Sequence, residues 1–235
     1  MFSFIRVGLN LYACALSPHP TDLTELLLRL SAQYPGDIGI FAPFLLNTFT
    51  LRAGEAVFLG PNLPHAYLDG DCIEAMACSD NVVRAGLTPK FRDVDVLCEM
   101  LTYETGAPRV LRGGAPIAGG DACSRVYAVP AESDVDEFEV TRTQVGGSDA
   151  GAVQQCELPA VRGAAILLVV AGAGTVTQAS AQQPHSLALR VGTSVLVPDS
   201  VGVHFAAIGA EPLVVYRCSA RQSAVPVHQA AASHL

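Results

Sequence analysis

Residues 61–91 read PNLPHAYLDGDCIEAMACSDNVVRAGLTPKF, and this stretch decides how the chain is interpreted. It carries an imidazole, several carboxylates, two amides, a guanidinium and an ammonium in one weakly periodic run, although only 15% of all residues are charged. A buried polar group without a partner costs roughly 1 to 3 kcal/mol, so core strands seldom hold such a density. The stretch therefore predicts a functional site that begins at His65, directly after a turn-like Pro-Asn-Leu-Pro.

The same stretch is a series of short motifs, in the order Pro64-His65-Ala66-Tyr67, Gly70-Asp71, Glu74-Ala75-Met76-Ala77, Ser79-Asp80-Asn81, Arg84-Ala85-Gly86 and Thr88-Pro89-Lys90-Phe91. In order and spacing these motifs resemble the signature of the type I, metal-dependent mannose-6-phosphate isomerases. Weaker similarity extends upstream through residues 34–37 and 51–56 and downstream through residues 93–103. The last third of the chain resembles the family only in its pattern of short strands.

The resemblance implies a fold that is mainly β with an N-terminal helical segment, built from cupin-type jelly rolls. A partial catalytic barrel would be followed by a C-terminal barrel without a metal, since closely spaced histidines are absent there. The corresponding domain boundaries are a remnant of a helical domain at 1–50, the catalytic barrel part at 51–107, a linker at 108–121, the second barrel at 122–222 and a tail at 223–235.

The resemblance also implies roles for the polar residues of the stretch. His65 would be one of four zinc ligands and Arg84 a catalytic residue that stabilises charge on substrate oxygens. Substrate binding would involve Lys90, Glu74 and Tyr67, with Asp80 and Asn81 supporting the pocket. The residue types alone leave other roles open, such as a hydrogen-bonded structural histidine, a packing arginine, an exposed lysine and a polar strand face.

In the family, the other three zinc ligands come from a Gln-x-His pair and a glutamate upstream. No Gln-x-His precedes His65 here, and Gln33 is the only earlier glutamine. The chain therefore resembles the C-terminal part of a longer enzyme. If it begins at Met1, the unpaired strand edges of an incomplete barrel predict poor solubility or dependence on a partner.

The activity implied by the resemblance is the interconversion of mannose 6-phosphate and fructose 6-phosphate through a cis-enediol, assisted by zinc and feeding mannose activation for glycosylation. The ligand would be a small sugar phosphate. The alternative is a non-catalytic truncated isoform or fragment that lacks three zinc ligands. A third interpretation, an unrelated sugar-binding β-barrel, conflicts with a motif match of about thirty positions.

Composition limits the other function classes. A net charge of −8 without a cluster of Lys or Arg argues against a nucleic-acid surface. The sequence has no uninterrupted run of about 18 apolar residues, so a membrane span is not predicted. Seven widely spaced cysteines without a C-x-x-C pair predict reduced, buried thiols in a cytoplasmic protein. They are Cys14, Cys72, Cys78, Cys98, Cys123, Cys156 and Cys218.

Local patterns predict several elements. Leucines on one face and a Thr-Asp cap predict a helix over 20–33, and Asp93 predicts a short helix over 94–101. Residues 38–49 fit either a helix or a strand by pattern, and the resemblance favours the helix. Strands are predicted around 56–59 and after His65, with a turn at 69–71, and residues 164–170 predict a strand buried on both faces.

Overall fold

The computed structural model describes residues 2–14, 20–78, 82–117, 120–127, 129–130, 137–147, 154–179 and 185–222. The described chain is mainly β, with a helical segment near its N-terminus, which confirms the predicted fold class. It divides into two compact units, residues 1–116 with 125–133, and residues 117–124 with 134–235. Within the described ranges, no helix is long and apolar enough to cross a membrane. The finer domain boundaries stay a prediction.

The first unit is built around a long N-terminal strand. This strand, β1, pairs with β2, β3 and β4, and β5 extends the sheet beyond β3, all in antiparallel register. Leu51, Val57 and Leu59 form the buried centre of the unit. The elements are β1 (Phe2–Cys14), α1 (Pro20–Gln33), a 3-10 helix (Ile38–Phe44), β2 (Leu46–Leu51), β3 (Glu55–Phe58), β4 (Ala66–Ala75), α2 (Val94–Met100), β5 (Val110–Arg112) and β6 (Ala115–Pro116).

Both predicted helices are present, and local signals explain where they begin and end. Helix α1 spans Pro20–Gln33 and buries Leu30, which is 2% exposed. Helix α2 starts after Asp93, whose carboxylate accepts a hydrogen bond of 3.1 Å from the Val96 amide. The ambiguous segment 38–49 contains both kinds of structure, because the 3-10 helix ends at Phe44 and β2 begins at Leu46.

The turn predicted at residues 69–71 is wrong as a boundary between strands. Strand β4 runs through it from Ala66 to Ala75. The Asp-Gly-Asp signal produces an irregularity instead, because the pairing with β1 shifts register three times and Gly70 has φ 103°. That backbone region is open to glycine, so the strand bends without ending.

The second unit is an eight-stranded antiparallel jelly roll. Its two sheets have the orders β13-β10-β15-β8 and β12-β11-β14-β9, and each strand of one sheet has a sequential neighbour in the other. Apolar side chains from both sheets, including Leu167, Phe205 and Leu213, fill the space between them. β7 (Ser124–Tyr127) precedes the jelly roll, and only its Ser124 belongs to this unit. The eight strands are β8 (Glu139–Val145), β9 (Gln155–Leu158), β10 (Ala165–Ala171), β11 (Ala173–Gln178), β12 (Ser186–Arg190), β13 (Ser194–Val197), β14 (Val203–Ile208) and β15 (Leu213–Ser219).

The prediction that residues 164–170 are buried on both faces is wrong. Ala165, Leu167 and Val169 are each 1% exposed, whereas Ile166 between them is 53% exposed. The strand lies in a two-sheet structure, in which only one face of each sheet packs against the other sheet. Although the residues of this run are all apolar, their side chains therefore alternate between buried and more exposed positions.

The prediction of seven reduced, buried thiols is also wrong. Cys123 and Cys156 form a disulfide across 33 positions of sequence. The other cysteines with described side chains are unpaired, and they are not fully buried: Cys72 is half-buried and Cys78, Cys98 and Cys218 are exposed. Sequence spacing could not reveal the pair, because Cys156 lies on β9 and Cys123 lies in a turn 33 positions earlier, and only tertiary packing brings the two together.

Candidate functional site

His65 lies immediately before β4 and has an exposed side chain. The preceding turn includes Asn62 at φ 60°, a backbone conformation that asparagine tolerates better than most residues. The ring Nδ1 is 2.9 Å from the carbonyl oxygen of Leu63. A carbonyl only accepts hydrogen bonds, so in the neutral imidazole Nδ1 carries the proton and Nε2 keeps its lone pair. This is the arrangement in which a protein histidine binds a metal through Nε2.

Tyr67 and Glu74 lie next to this histidine. The Tyr67 hydroxyl donates a hydrogen bond of 2.8 Å to Glu74 Oε1, and the Tyr67 ring is 5.9 Å from the His65 ring. In a straight strand, the Cα atoms of Tyr67 and Glu74 would lie roughly 23 Å apart, because seven positions separate them. The irregular register and the bend at Gly70 are what bring them together. The structure therefore gathers three of the predicted site residues into one cluster.

The remaining predicted residues follow β4 in sequence. Arg84 is half-buried and Lys90 is exposed. Lys90 is the only lysine in the chain. The Lys90 backbone amide donates to the Thr88 hydroxyl at 3.2 Å, which tightens the turn that presents the side chain. Asp80 and Asn81 lie outside the described residues, so their predicted supporting roles stay predictions.

Asp37 is a site-positioning residue that the sequence interpretation missed. Its Oδ1 accepts a hydrogen bond of 2.7 Å from the Gly39 amide, and its Oδ2 accepts from the Thr88 amide at 3.4 Å and from Arg92 Nη1 at 3.1 Å. Its side chain is only 9% exposed. The carboxylate thus joins the end of the helical segment to the loop that carries Lys90.

The protonation of Asp37 reflects these contacts. Burial acts to raise the pKa of its carboxyl group, but the backbone hydrogen bonds from Gly39, Leu87 and Thr88 and the positive charge of Arg92 outweigh burial and lower the pKa. The group is therefore ionised at neutral pH and holds the loop as a carboxylate.

Two glycines allow this loop to approach so closely. A Cβ atom on Gly86 would lie 2.8 Å from the Cα of Gly39, and one on Gly39 would lie 2.8 Å from the Leu87 amide nitrogen. Neither backbone can move away without breaking the Asp37 contacts. The available sequence signal is the Pro-Gly-Asp at 35–37, which follows the helix predicted over 20–33.

Beside this junction lies an open depression of about 510 Å³. Its positive side chains are Lys90 and Arg92, and the Arg92 charge is partly balanced by Asp37. Phe91, which is 83% exposed, forms an apolar part of the wall. The chemistry suits a ligand with an anionic group and a small body. The complete lining is Gly36, Ile38, Ala85, Pro89, Lys90, Phe91, Arg92 and Val94.

As a metal site, this region is incomplete in the part of the chain that the structure describes. The tautomer of His65 fits a zinc ligand, but no set of three or more His, Cys, Asp or Glu ligand atoms that includes His65 is present among the described residues. The described residues do contain one such set, Asp121, Cys123 and Cys156, but it lies in the second unit. His65 therefore fits as a single ligand, and the rest of a zinc site is not found here.

Comparison with known proteins agrees with the motif match. Residues 13–46 match the family model of the phosphomannose isomerase type I helical insertion domain. The chain is 51% identical over 159 residues to mannose-6-phosphate isomerase from Bos taurus, which covers 67% of this chain and 36% of the bovine enzyme. It is 41% identical over 184 residues to mannose-6-phosphate isomerase 2 from Arabidopsis thaliana, covering 78% of this chain and 38% of the plant enzyme.

The fold is similar to that of solved phosphomannose isomerases. The zinc- and fructose-6-phosphate-bound enzyme from Salmonella typhimurium superposes with a TM-score of 0.67 at 23% identity, covering 94% of this chain and 66% of that one. At this identity the likeness concerns the fold alone. The chain spans little more than a third of the length of the curated relatives that it matches. Over the matched ranges the chain is therefore similar to part of the phosphomannose isomerases.

Proposed function

We propose that this chain carries part of the catalytic site of an aldose-ketose isomerase that interconverts mannose 6-phosphate and fructose 6-phosphate. The observation that carries the proposal is the cluster of His65, Tyr67 and Glu74 along β4 and directly before it. There, His65 is fixed with Nε2 available to a metal and lies beside the Tyr67–Glu74 hydrogen bond. The relatives named above carry this activity in their names, and the Salmonella typhimurium structure contains fructose 6-phosphate and zinc.

Each residue has a role that fits its position. His65 would supply one ligand to zinc, and bound zinc would act as a Lewis acid toward the sugar oxygens. The Tyr67 hydroxyl orients the Glu74 carboxylate, so that this group can accept hydrogen bonds from sugar hydroxyls. Arg84 would stabilise negative charge on substrate oxygens, and Lys90 would bind the phosphate.

The reaction itself is a proton transfer between neighbouring carbons. The aldose becomes the ketose when a proton moves between C2 and C1 through a cis-enediol, with a matching proton transfer between the two oxygens. The protein must therefore hold the sugar by its phosphate and stabilise charge at its other end. Lys90 on the anchored loop would hold the phosphate, and the cluster at His65 would act at the other end of the sugar. We place this activity in the cytoplasm, in the supply of mannose for glycosylation.

A non-catalytic relative of the enzyme is a second candidate. It is favoured by the incomplete ligand set around His65 in the described chain and by the lack of a Gln-x-His before it in the sequence. Such a protein would retain the sugar-phosphate contacts of Lys90 and Arg84 without turnover. Binding and catalysis must therefore be measured separately.

Catalysis is tested by zinc content and isomerase activity of the purified 235-residue chain. We expect His65→Ala to lose both zinc and turnover. His204→Ala is the matched control, because His204 is also an exposed histidine. It lies on β14 in the other unit and is paired only loosely with Glu157 at 4.0 Å. Turnover that survives in His65→Ala would refute the role of this histidine. A wild-type chain with neither zinc nor turnover would favour the non-catalytic candidate.

Sugar-phosphate binding is tested at Lys90. Because Lys90 is the only lysine, reductive ¹³C-methylation gives one side-chain NMR signal, distinct from that of the N-terminal amine. We expect mannose 6-phosphate to shift this signal, and free mannose to leave it unchanged. The Arg84→Gln variant reports whether the arginine contributes to the same affinity. A lysine signal that is insensitive to mannose 6-phosphate would refute the phosphate-binding role.

A further inference from the structure

The disulfide of the second unit connects two regions that are otherwise held only by noncovalent contacts. Cys123 lies just before β7, and Cys156 lies on β9, the edge strand of its sheet, with Cα atoms 6.5 Å apart. Strand β9 pairs only with β14 in that sheet. The crosslink therefore clamps a sheet edge to the chain segment at 120–124.

The two sulfur atoms differ in their access to solvent. Cys156 is 2% exposed and belongs to the hydrophobic core, whereas Cys123 is half-buried beside the exposed Asp121. A soluble thiol or disulfide can therefore approach Cys123 but not Cys156. Buried Ser124 contacts the inner sulfur, with its Oγ 3.6 Å from Cys156 Sγ and 2.8 Å from Thr143 Oγ1.

Asp121 adds a negative charge to the same place. A carboxylate oxygen of Asp121 and the two sulfurs all lie within 4.8 Å of one another. Asp121 Oδ2 also accepts a hydrogen bond of 2.7 Å from the Glu157 amide, which holds the carboxylate against β9. A like charge disfavours a thiolate, so Asp121 slows thiol exchange once the pair is reduced.

The other described cysteines argue against a permanently oxidising environment. Cys78, Cys98 and Cys218 are exposed and unpaired. Chains that keep exposed thiols are typical of reducing compartments, where a disulfide is usually transient and responds to redox conditions. A pair with one accessible member fits this behaviour better than a structural crosslink does.

We propose that Cys123 and Cys156 form a reversible dithiol-disulfide couple, which exchanges with a low-molecular-weight disulfide of the glutathione class and clamps β9 when oxidised. The Cys123 thiolate attacks the small disulfide, forms a mixed disulfide and releases one small thiolate. The Cys156 thiolate then attacks Cys123 Sγ, closes the intramolecular bond and releases the second. Two electrons pass from the protein to the small disulfide, and the two thiol protons go to solvent or to the released thiolates. This proposal does not depend on the isomerase activity.

The test equilibrates the full chain in buffers with graded ratios of glutathione to glutathione disulfide, followed by acid quenching, alkylation and peptide mass spectrometry. We expect Cys123 and Cys156 to convert together in a single two-electron transition. Cys218→Ser is the matched control and leaves the transition unchanged, whereas Cys123→Ser abolishes it. The Asp121→Asn variant reaches equilibrium a few-fold faster, because the repelling charge is gone.

Hydrogen exchange reports the clamp itself. We expect reduction to accelerate exchange of the amides of residues 155–158 by a larger factor than that of the amides of β11 and β12, which follow only the overall loss of stability. A pair that stays oxidised at every glutathione ratio would overturn the proposal and identify a structural disulfide. Stoichiometric zinc held by the reduced pair would overturn it in favour of a metal site with Asp121. Unchanged exchange in β9 would overturn the clamp.

Discussion

Replacing Asp37 by asparagine tests whether this carboxylate holds the loop that carries Lys90. Asparagine keeps one oxygen for the Gly39 amide but places an amide NH₂ where Oδ2 accepts from Thr88 and Arg92. The Arg92 side chain is 37% exposed, so loss of that ion pair costs at most about 1 kcal/mol. The Thr88 amide then lacks its acceptor, which adds about 1 kcal/mol, since the bond is long. The expected loss of unfolding free energy is about 2 kcal/mol.

Urea unfolding at neutral pH measures this loss as a midpoint shift of about 1 M. Asp93→Asn is the matched control, because asparagine also caps helix α2 and should leave the midpoint unchanged. Hydrogen exchange should show that the Asp37→Asn loss is concentrated in residues 85–92. Equal midpoints for the two variants would refute the reasoning.

The pH dependence provides a second check on Asp37. Because folding lowers the pKa of this carboxyl group, its stabilisation is complete above the unfolded pKa of about 4 and is lost as the pH falls through the lower folded pKa. The difference in stability between wild type and Asp37→Asn should therefore be full at neutral pH and shrink in acid. A difference that grows in acid would contradict the assignment.

Three further changes test the packing. Gly86→Ala should destabilise the first unit by about 1 to 3 kcal/mol, because its Cβ meets backbone, whereas Gly60→Ala, with its nearest neighbour at 3.6 Å, should be nearly neutral; urea midpoints decide this. Tyr127→Phe removes a 2.6 Å hydrogen bond to the Gly54 carbonyl and should cost about 1 kcal/mol in the same assay, so no change would contradict that bond's contribution. Reduction of the disulfide opens a 33-residue loop, which should lower the free energy of unfolding by about 3 to 4 kcal/mol and the Tm by roughly 10 to 20 °C. Calorimetry measures this shift, and the control Cys218→Ser should leave the Tm unchanged.

The sequence by itself determined the features whose causes lie within a few residues. Helix α2 begins where Asp93 caps it, and α1 follows the leucine spacing, because helical hydrogen bonds and caps join near neighbours. The strand pattern determined the mainly β fold class, and the motifs from Pro64 to Phe91 determined the family resemblance. The motifs also predicted His65, Tyr67 and Glu74 as site residues, although nothing in the sequence showed that their side chains lie close together.

The tertiary structure alone decided which distant groups touch. Asp37 is hydrogen-bonded to Arg92, 55 positions away, and Cys123 is bonded to Cys156, 33 positions away. Strand pairing and core packing determine such contacts. Ile166 is exposed because only one face of its sheet packs against another sheet. Side-chain partners of this kind depend on how whole strands and sheets pack, and no local pattern of residues specifies that arrangement.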